Sequence, residues 1–427
     1  MQPVIPITNE EFIEPYAGPK RKGYLQAAKS LEADPINAFD ARVKCFVKCE
    51  RINMIEKENP DPRMISYRSK RYVLEVGKYL KPLEHQLYTK KFWLKSRVIV
   101  KGLNPTDRAK LLVKKMERFQ QPLVLSLDCS RWDKHVSPEL LKLEHWFYWK
   151  LTRSKYLRWL LSMQVNNNCT TRGGIKYKAN GRRMSGDYNT ALGNCLLMTA
   201  MAFNVFESLG IKYDIMDDGD DCLIIIDKRD RSILDCLPQR FLNFGHELKV
   251  ENLAEYIEDV RFCQSAPIYD GIRWRFVRDY KKVLANAATG FAKLRDVTQR
   301  KRMLYAIGVC ELSLNRGIPV LQELALKLIS LGERPAEGVK EYLDKDPLFK
   351  DLSYRVRNIN LCEQGEDIAI QTRWSFYRAF KLTNSQQEMM EDTLRDWRPN
   401  IFATDLLPFD QAATERLPDD IVLAGTS

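Results

Sequence analysis

The chain has 427 residues, enough for two or three ordinary domains or one large multi-lobed unit, and its 44% hydrophobic and 10% aromatic content excludes a disordered or fibrous protein. Lysine and arginine number 68 against 56 aspartate and glutamate, a net charge of +12 that favours nucleic acid or an anionic membrane surface as partner and leaves open a merely basic soluble protein. The nearest cysteines, Cys45 and Cys49, lack zinc-site spacing, no signal-type segment follows Met1, and the best apolar run, Cys195 to Phe206, is too short for a bilayer, so reduced thiols and a cytosolic protein with borrowed membrane attachment are expected.

In chain order, the first hundred residues are basic, aromatic and broken by prolines; YAGPKRKGY and NPDPRMISYRSKRY read as loops on an RNA-facing surface. Pro122 to Asp128 reads as a short buried strand, and Pro138 to Leu161 as one long helix opening on proline. Asn189 to Leu209 reads as a packed helix entered through a turn at Gly186. Gly210 to Met216 and Cys222 to Ile226 read as strands of a hairpin, with Gly219 supplying an unusual backbone angle in its acidic turn. From about residue 290 the period is helical again, through TQRKRMLYAIGVCELSL, IPVLQELALKLISL and TRWSFYRAFKLTNSQQEMMEDTLRDW, and the final residues read as a flexible tail.

The chemistry concentrates in three stretches. IMDDGDDCLIIID crowds carboxylates that repel unless a cation neutralises them, which makes the turn a candidate for a hard divalent ion, against a solvated acidic turn. A calcium loop is excluded, because counting from Asp214 the third position is Met216 and the twelfth Ile225. Asp128 and Asp133 lie just beyond the buried strand, where Asp128 can come beside Asp220 or else cap the next segment. Between them, Ser185, Gly186, Thr190 and Asn194 place two polar groups on one face of an otherwise apolar helix; a cap at Ser185 accounts for the first two alone.

The order of these stretches resembles an RNA-dependent RNA polymerase of positive-strand RNA viruses. SLDCSRWD resembles motif A, SGDYNTALGN motif B in its SGxxxTxxxN form, and MDDGDD ends in the GDD of motif C; GHELKVEN resembles motif D and RFCQSAPI motif E. Upstream, FVKCERI followed by PRMISYRSKRYVLEVGKYLKPLE resembles the basic motif F of tombusvirus-like polymerases, and YAGPKRKGY the segment through which their template passes. The nearest resemblance is to tombusvirus and umbravirus-like replicases, with flavivirus-type polymerases more distant, and it spans nearly the whole chain; a membrane-anchored leader is not expected ahead of it.

The resemblance implies an α+β right-hand polymerase with an antiparallel palm sheet, fingers and a helical thumb. The expected divisions are fingers at 1–95 with the basic motif, palm at 96–134, fingers at 135–182, palm at 183–269, and thumb at 270–427 ending in the tail. By the same resemblance Asp128 and Asp220 hold two Mg²⁺ ions, with Mn²⁺ able to substitute, Asp221 as a weaker ligand and the main-chain carbonyl of Cys129 as a neutral one; Asp217 and Asp218 take a solvated or supporting role. Asp133, hydrogen-bonded to Asn194 and Ser185, reads the ribose 2′-OH, with Gly186 and Thr190 in the same constellation. Lys48, Arg51, Arg63 and Arg68 clamp the triphosphate, or else make generic phosphate contacts. Lys249 protonates pyrophosphate, or is an exposed helix-end lysine. Phe262, Cys263, Gln264 and Ser265 grip the primer or product strand, or form a plain β-turn. His85, His135, His145 and His246 read as structural or surface residues.

The implied activity is replication of a positive-strand RNA genome with primer-independent initiation, for which Trp274, Trp374 and Tyr377 are platform candidates unless buried in the core. The expected partners are RNA template and product, ribonucleoside triphosphates and a separate viral membrane-anchoring replication protein, in the host cytoplasm at membrane-associated replication complexes. The competing readings are a catalytically decayed polymerase-like RNA-binding protein, disfavoured because Asp128, Asp220 and Asn194 are all present, and a metal-dependent phosphohydrolase, which leaves motif B and the basic stretch unexplained.

Overall fold

The computed structural model describes residues 4–48, 50, 61–287, 296–344 and 349–398. Its strands are β1 (Val43–Val47), β2 (Met64–Tyr67), β3 (Pro122–Cys129), β4 (Asn166–Thr171), β5 (Lys176–Asn180), β6 (Tyr213–Asp217), β7 (Cys222–Asp227), β8 (Leu248–Ala254), β9 (Ser265–Tyr269) and β10 (Trp274–Arg278). They form a four-stranded antiparallel sheet in the order β6-β7-β3-β8, a second sheet β2-β1-β4-β5 in which β1 and β4 run parallel, and a β9–β10 hairpin.

The first sheet is buried on both faces, which is why its central strands read as continuous apolar runs. Alternation along β3 divides its side chains: Leu123, Leu125 and Leu127 pack with Met198, Met201 and Ala202 of the helix Thr190–Leu209, whereas Val124 packs with Ala109 and Leu112 of the helix Pro105–Met116. Each such buried aliphatic side chain contributes about 1.5–3 kcal/mol of transfer free energy. Among the described residues Thr190–Leu209 is the one helix long and apolar enough to cross a membrane, and 61% of its apolar window is buried inside the fold.

The C-terminal part has its own core, in which Ala266, Ile268 and Val277 of the β9–β10 hairpin pack with Leu304, Ile307, Leu321 and Phe376 of the later helices. Those helices include Val297–Asn315, Leu321–Leu331, Ile370–Phe380 and Asn384–Asp396. The last two, expected as one, are separated where Lys381 takes φ +57° and Thr383 opens a capping box.

Several expectations about local structure are corrected. YAGPKRKGY is largely helical: Gly18 takes φ +55°, Pro19 fits the first turn, and the helix runs Gly18–Ala33. The second supposed loop leads from β2 into the 20-residue helix Lys70–Thr89, whose Tyr72, Val76, Leu80, Leu83 and Leu87 form a buried stripe at helical spacing despite Pro82. Pro138 to Leu161 is two helices, Pro138–Thr152 and Lys155–Ser162, broken where Arg153 turns left-handed and Ser154 caps the next helix. GHELKVEN enters β8, so Lys249 is a strand residue and not a helix-end one. The expected tail lies outside the described residues.

Candidate active site

Asp128 sits near the end of β3, one of the two inner strands of the antiparallel sheet. Leu127 pairs with Cys222 of β7, so Asp128 and Asp221 follow as the next opposed residues, while on the other side Asp128 is in register with Lys249 of β8. The β6–β7 hairpin closes through the Asp218 N–H donating to the Asp221 carbonyl at 2.9 Å, with Gly219 at φ +106° and Asp220 at its exposed tip. Such an angle is open to glycine and costly for a side chain, which explains the residue there.

The aspartates of this region fall into two groups. Asp214 is buried and paired with Lys115 at 2.6 Å and with Arg118. Asp217 is fully buried, accepts from the Gly219 N–H and the Thr199 hydroxyl at 3.1 Å each, and burial pushes its carboxyl well above the usual range. Asp218 is bound by Lys101 at 2.8 Å and Arg108 at 2.6 Å, which together outweigh burial and hold its carboxyl low. Of the two roles expected for Asp217 and Asp218, solvated or supporting, the structure shows the supporting one: both are internal struts of the turn.

Asp128, Asp220 and Asp221 behave differently, entering no ion pair among the described residues. Burial, then Glu251 and Asp220, raises the Asp128 carboxyl, with Lys249 opposing; burial, then Asp220, Asp218 and Asp128, brings Asp221 to about 6. Among the described residues no three His, Cys, Asp or Glu side chains converge as a ready-made metal cage. Crowded carboxylates held in no ion pair among the described residues nevertheless fit a divalent ion with oxygen ligands. The Cys129 thiol, pushed up to about 12 by burial and then by Asp128 and Asp220, stays protonated, so only the main-chain carbonyl of that residue remains a candidate ligand.

Asp133 lies on the single turn Trp132–His135, and burial raises its carboxyl against the opposing effects of Arg183 and Asn194. Asn194 Nδ2 donates to Asp133 Oδ1 at 3.4 Å, while Asn194 Oδ1 accepts from Arg183 Nε at 3.0 Å. This acceptance orients the amide so that its donor faces Asp133. Arg183 is itself buried against Glu144, which also accepts from Asn189 Nδ2 at 2.7 Å. A Cβ at Gly193 would collide with both Glu144 and Arg183.

The remaining motif B residues do not join Asp133. Ser185 Oγ accepts from the Ser66 N–H at 3.1 Å, in place of the expected bond to Asp133, and the Gly186 N–H donates to the Ser66 carbonyl at 2.8 Å. A Cβ on Gly186 would come 2.7 Å from that of Tyr67, so this pair docks the loop onto β2. The Thr190 hydroxyl donates to the Met184 and Asp187 carbonyls at 2.8 Å and closes the same loop.

Of the basic residues, Arg63 and Lys48 lie together beside Glu50, with the Lys48 N–H donating to the Arg63 carbonyl at 2.7 Å. Glu50 chiefly, with Asp220 and Asp133 adding, raises the Arg63 pKa, which puts its exposed guanidinium within the field of the carboxylate cleft. Arg68 is a correction: its side chain is fully buried, bonded to Asp187 and Asn167 and to the Ala41 carbonyl, and is not free to clamp a triphosphate. Arg51 lies outside the described residues.

Phe262 and Ser265 exchange backbone hydrogen bonds at 3.0 Å around Cys263 and Gln264, both left-handed at φ +48° and +57°. This tight turn meets the acidic hairpin, with Cys263 Sγ donating to Asp218 Oδ2 at 3.3 Å. Lys101, Arg108, Arg183 and Glu144 were missed in the sequence, where only the arginine pair directly before Met184 hinted at a partner for the motif B helix.

Comparison with known proteins identifies the family. Residues 1–402 match the family described as viral RNA dependent RNA polymerase. The chain is 36% identical to the RNA-directed RNA polymerase of Tobacco necrosis virus (strain A) over 90% of this chain and 53% of that protein. It is 34% identical to that of Maize chlorotic mottle virus over 92% and 41%, and 35% identical to that of Groundnut rosette virus over 91% and 46%. It spans about half the length of the curated relatives it matches. With motifs A to E in order along a carboxylate-tipped antiparallel sheet, the chain belongs to the viral RNA-dependent RNA polymerase family.

Proposed function

We propose that the chain is an RNA-dependent RNA polymerase that copies a positive-strand viral RNA genome by two-metal-ion nucleotidyl transfer, starting without a primer. The observation that carries this reading is the division among the aspartates: Asp214, Asp217 and Asp218 are satisfied within the protein, whereas Asp128, Asp220 and Asp221 stand at the sheet's end outside any ion pair among the described residues. In this reading the β6-β7-β3-β8 sheet is the palm, the β2-β1-β4-β5 sheet with its helices belongs to the fingers, and the helical region after residue 270 is the thumb.

Asp128, Asp220 and Asp221 would hold the Mg²⁺ ions, whose charge would activate a 3′-hydroxyl and stabilise departing pyrophosphate. Arg63 and Lys48 bind the triphosphate from the finger side and offset its charge. Asp133, with Asn194 oriented by Arg183, accepts a hydrogen bond from the ribose 2′-OH, which a deoxynucleotide cannot offer. Lys249, beside Asp128, is the candidate proton donor to pyrophosphate, and the Phe262–Ser265 turn holds the growing strand. RNA and ribonucleoside triphosphates are the partners, with a separate membrane-anchoring protein bringing the enzyme to replication complexes in the host cytoplasm.

The test is to incubate purified protein with an RNA template, four NTPs and Mg²⁺ or Mn²⁺, comparing wild type with Asp220→Ala. Extension by wild type alone supports the proposal. No extension by wild type in either metal, with RNA binding intact, would favour a decayed RNA-binding protein.

A further inference from the structure

The helices Pro138–Thr152 and Lys155–Ser162 present a surface that the polymerase reading does not use. Lys142, Lys150, Arg153, Lys155 and Arg158 are exposed, and none enters an ion pair among the described residues. The only acidic residue from 142 to 162 is Glu144, buried against Arg183. Large apolar groups stand among these cations: Leu143 is 48% exposed, Trp146 53% and Trp159 44%.

Ring and cation contacts bridge the two helices. Lys150 lies over Trp146 at 5.2 Å and over Trp149 at 5.5 Å, Arg153 and Arg158 lie over Trp149 at 4.8 and 5.8 Å, and Tyr156 packs on Trp159 at 5.7 Å. We propose that this patch docks directly on an anionic lipid surface. Exposed cations without carboxylate partners complement phosphate headgroups. Tryptophan and tyrosine rings are suited to the headgroup boundary, and Leu143 to the acyl region just beneath it.

Placement and chemistry favour lipid over RNA. Leu143, Trp146 and Lys150 lie on the side of their helix opposite Glu144 and Tyr148, which face the interior, and Glu144 points to the motif B network. RNA held in the carboxylate cleft is therefore on the other side of this helix. The Trp149 ring is overlaid by cations, and an aliphatic leucine offers no plane for a base to stack on. The docking surface is independent of the catalytic assignment.

The experiment co-sediments the full chain with vesicles of phosphatidylcholine alone or mixed with phosphatidylglycerol. Wild type should bind only the anionic vesicles, less at high salt. Lys150→Glu with Arg158→Glu should weaken binding roughly tenfold or more, Trp146→Ala with Trp159→Ala should weaken it several-fold, and Lys150→Arg with Arg158→Lys should retain it. All variants should keep the wild-type circular dichroism and affinity for a single-stranded RNA oligonucleotide. The proposal is overturned if wild type fails to bind anionic vesicles, if the charge-reversed variant binds them as tightly as wild type, or if the variants lose RNA affinity while keeping vesicle binding, which would make the patch an RNA track.

Discussion

Asp128 of β3 is the antiparallel register partner of Lys249 on β8, so an acid and a base of the cleft are fixed by one pair of strands. Lys249 opposes the rise in the Asp128 pKa caused by burial, Glu251 and Asp220. Replacing it, as in Lys249→Gln, removes a charge that favours the ionised carboxylate. The acid limb of the pH–rate profile should move to higher pH, with a rate loss that is largest on that limb and narrows as pH rises. A uniform loss at every pH would instead identify proton donation as the larger role.

Asp221 should make the metal-free protein more stable in mild acid. Its folded pKa of about 6 lies above the ordinary aspartate value of 3.8, so between them the folded state binds more protons and stability falls as pH rises. At pH 7 the whole penalty is present, on the order of 1 kcal/mol once solvent screening is allowed for. Asp221→Asn should therefore raise the metal-free Tm at pH 7 and flatten its change between pH 4 and 6. Thermal unfolding with and without Mg²⁺ checks this, because the ion should stabilise wild type more than the variant.

Sugar selection should depend on Arg183 as well as on the residues nearest the ribose. Asp133→Ala or Asn194→Ala should remove roughly 1–3 kcal/mol of discrimination between a ribonucleotide and its 2′-deoxy analogue. Arg183→Lys, which cannot reproduce the fork joining Glu144 to Asn194, should lose part of the same selectivity. Steady-state kcat/KM ratios measure both, and unchanged ratios would move the 2′-OH reader elsewhere.

The two classes of aspartate predict opposite mutant phenotypes. Lys115→Met strands the buried Asp214 with Arg118 alone and should cost about 2–4 kcal/mol in urea unfolding. Asp220→Asn, at the exposed tip, should leave unfolding nearly unchanged while reducing nucleotide addition by several orders of magnitude.

Initiation should depend on Trp374, which is 58% exposed and packs on Tyr377 at 5.4 Å instead of filling the core. Trp374→Ala should reduce primer-independent synthesis, read as γ-phosphate label entering products on a 3′-blocked template, more than extension of an annealed primer. Equal loss in both assays would dismiss the platform.

Much of the cleft was legible because its signals are local. The apolar run ending at Asp128, the GDD turn and the step from Thr190 to Asn194 each carry their own geometry, and the hairpin appeared where Gly219 placed it. Arg68 was misassigned because a basic cluster does not reveal which cation meets a buried acid; Asp187, 119 residues away, decides it. Lys101 and Arg108 went unnoticed for the same reason, since their partner Asp218 is far along the chain. The helix Lys70–Thr89 was missed because Pro82 and a basic flank obscured a regular apolar stripe.

The helix Pro138–Thr152 joins two surfaces without a loop between them. Trp146 and Lys150 face outward, while Glu144 grips Arg183 and Asn189 and through them sets Asn194. At 1.5 Å per residue its 15 residues make a rod of about 22 Å, stiff on the scale of these contacts. In the proposed reading, then, one rigid element backs both the outer patch and the amide that meets the ribose, and a substitution that tilts it disturbs both at once.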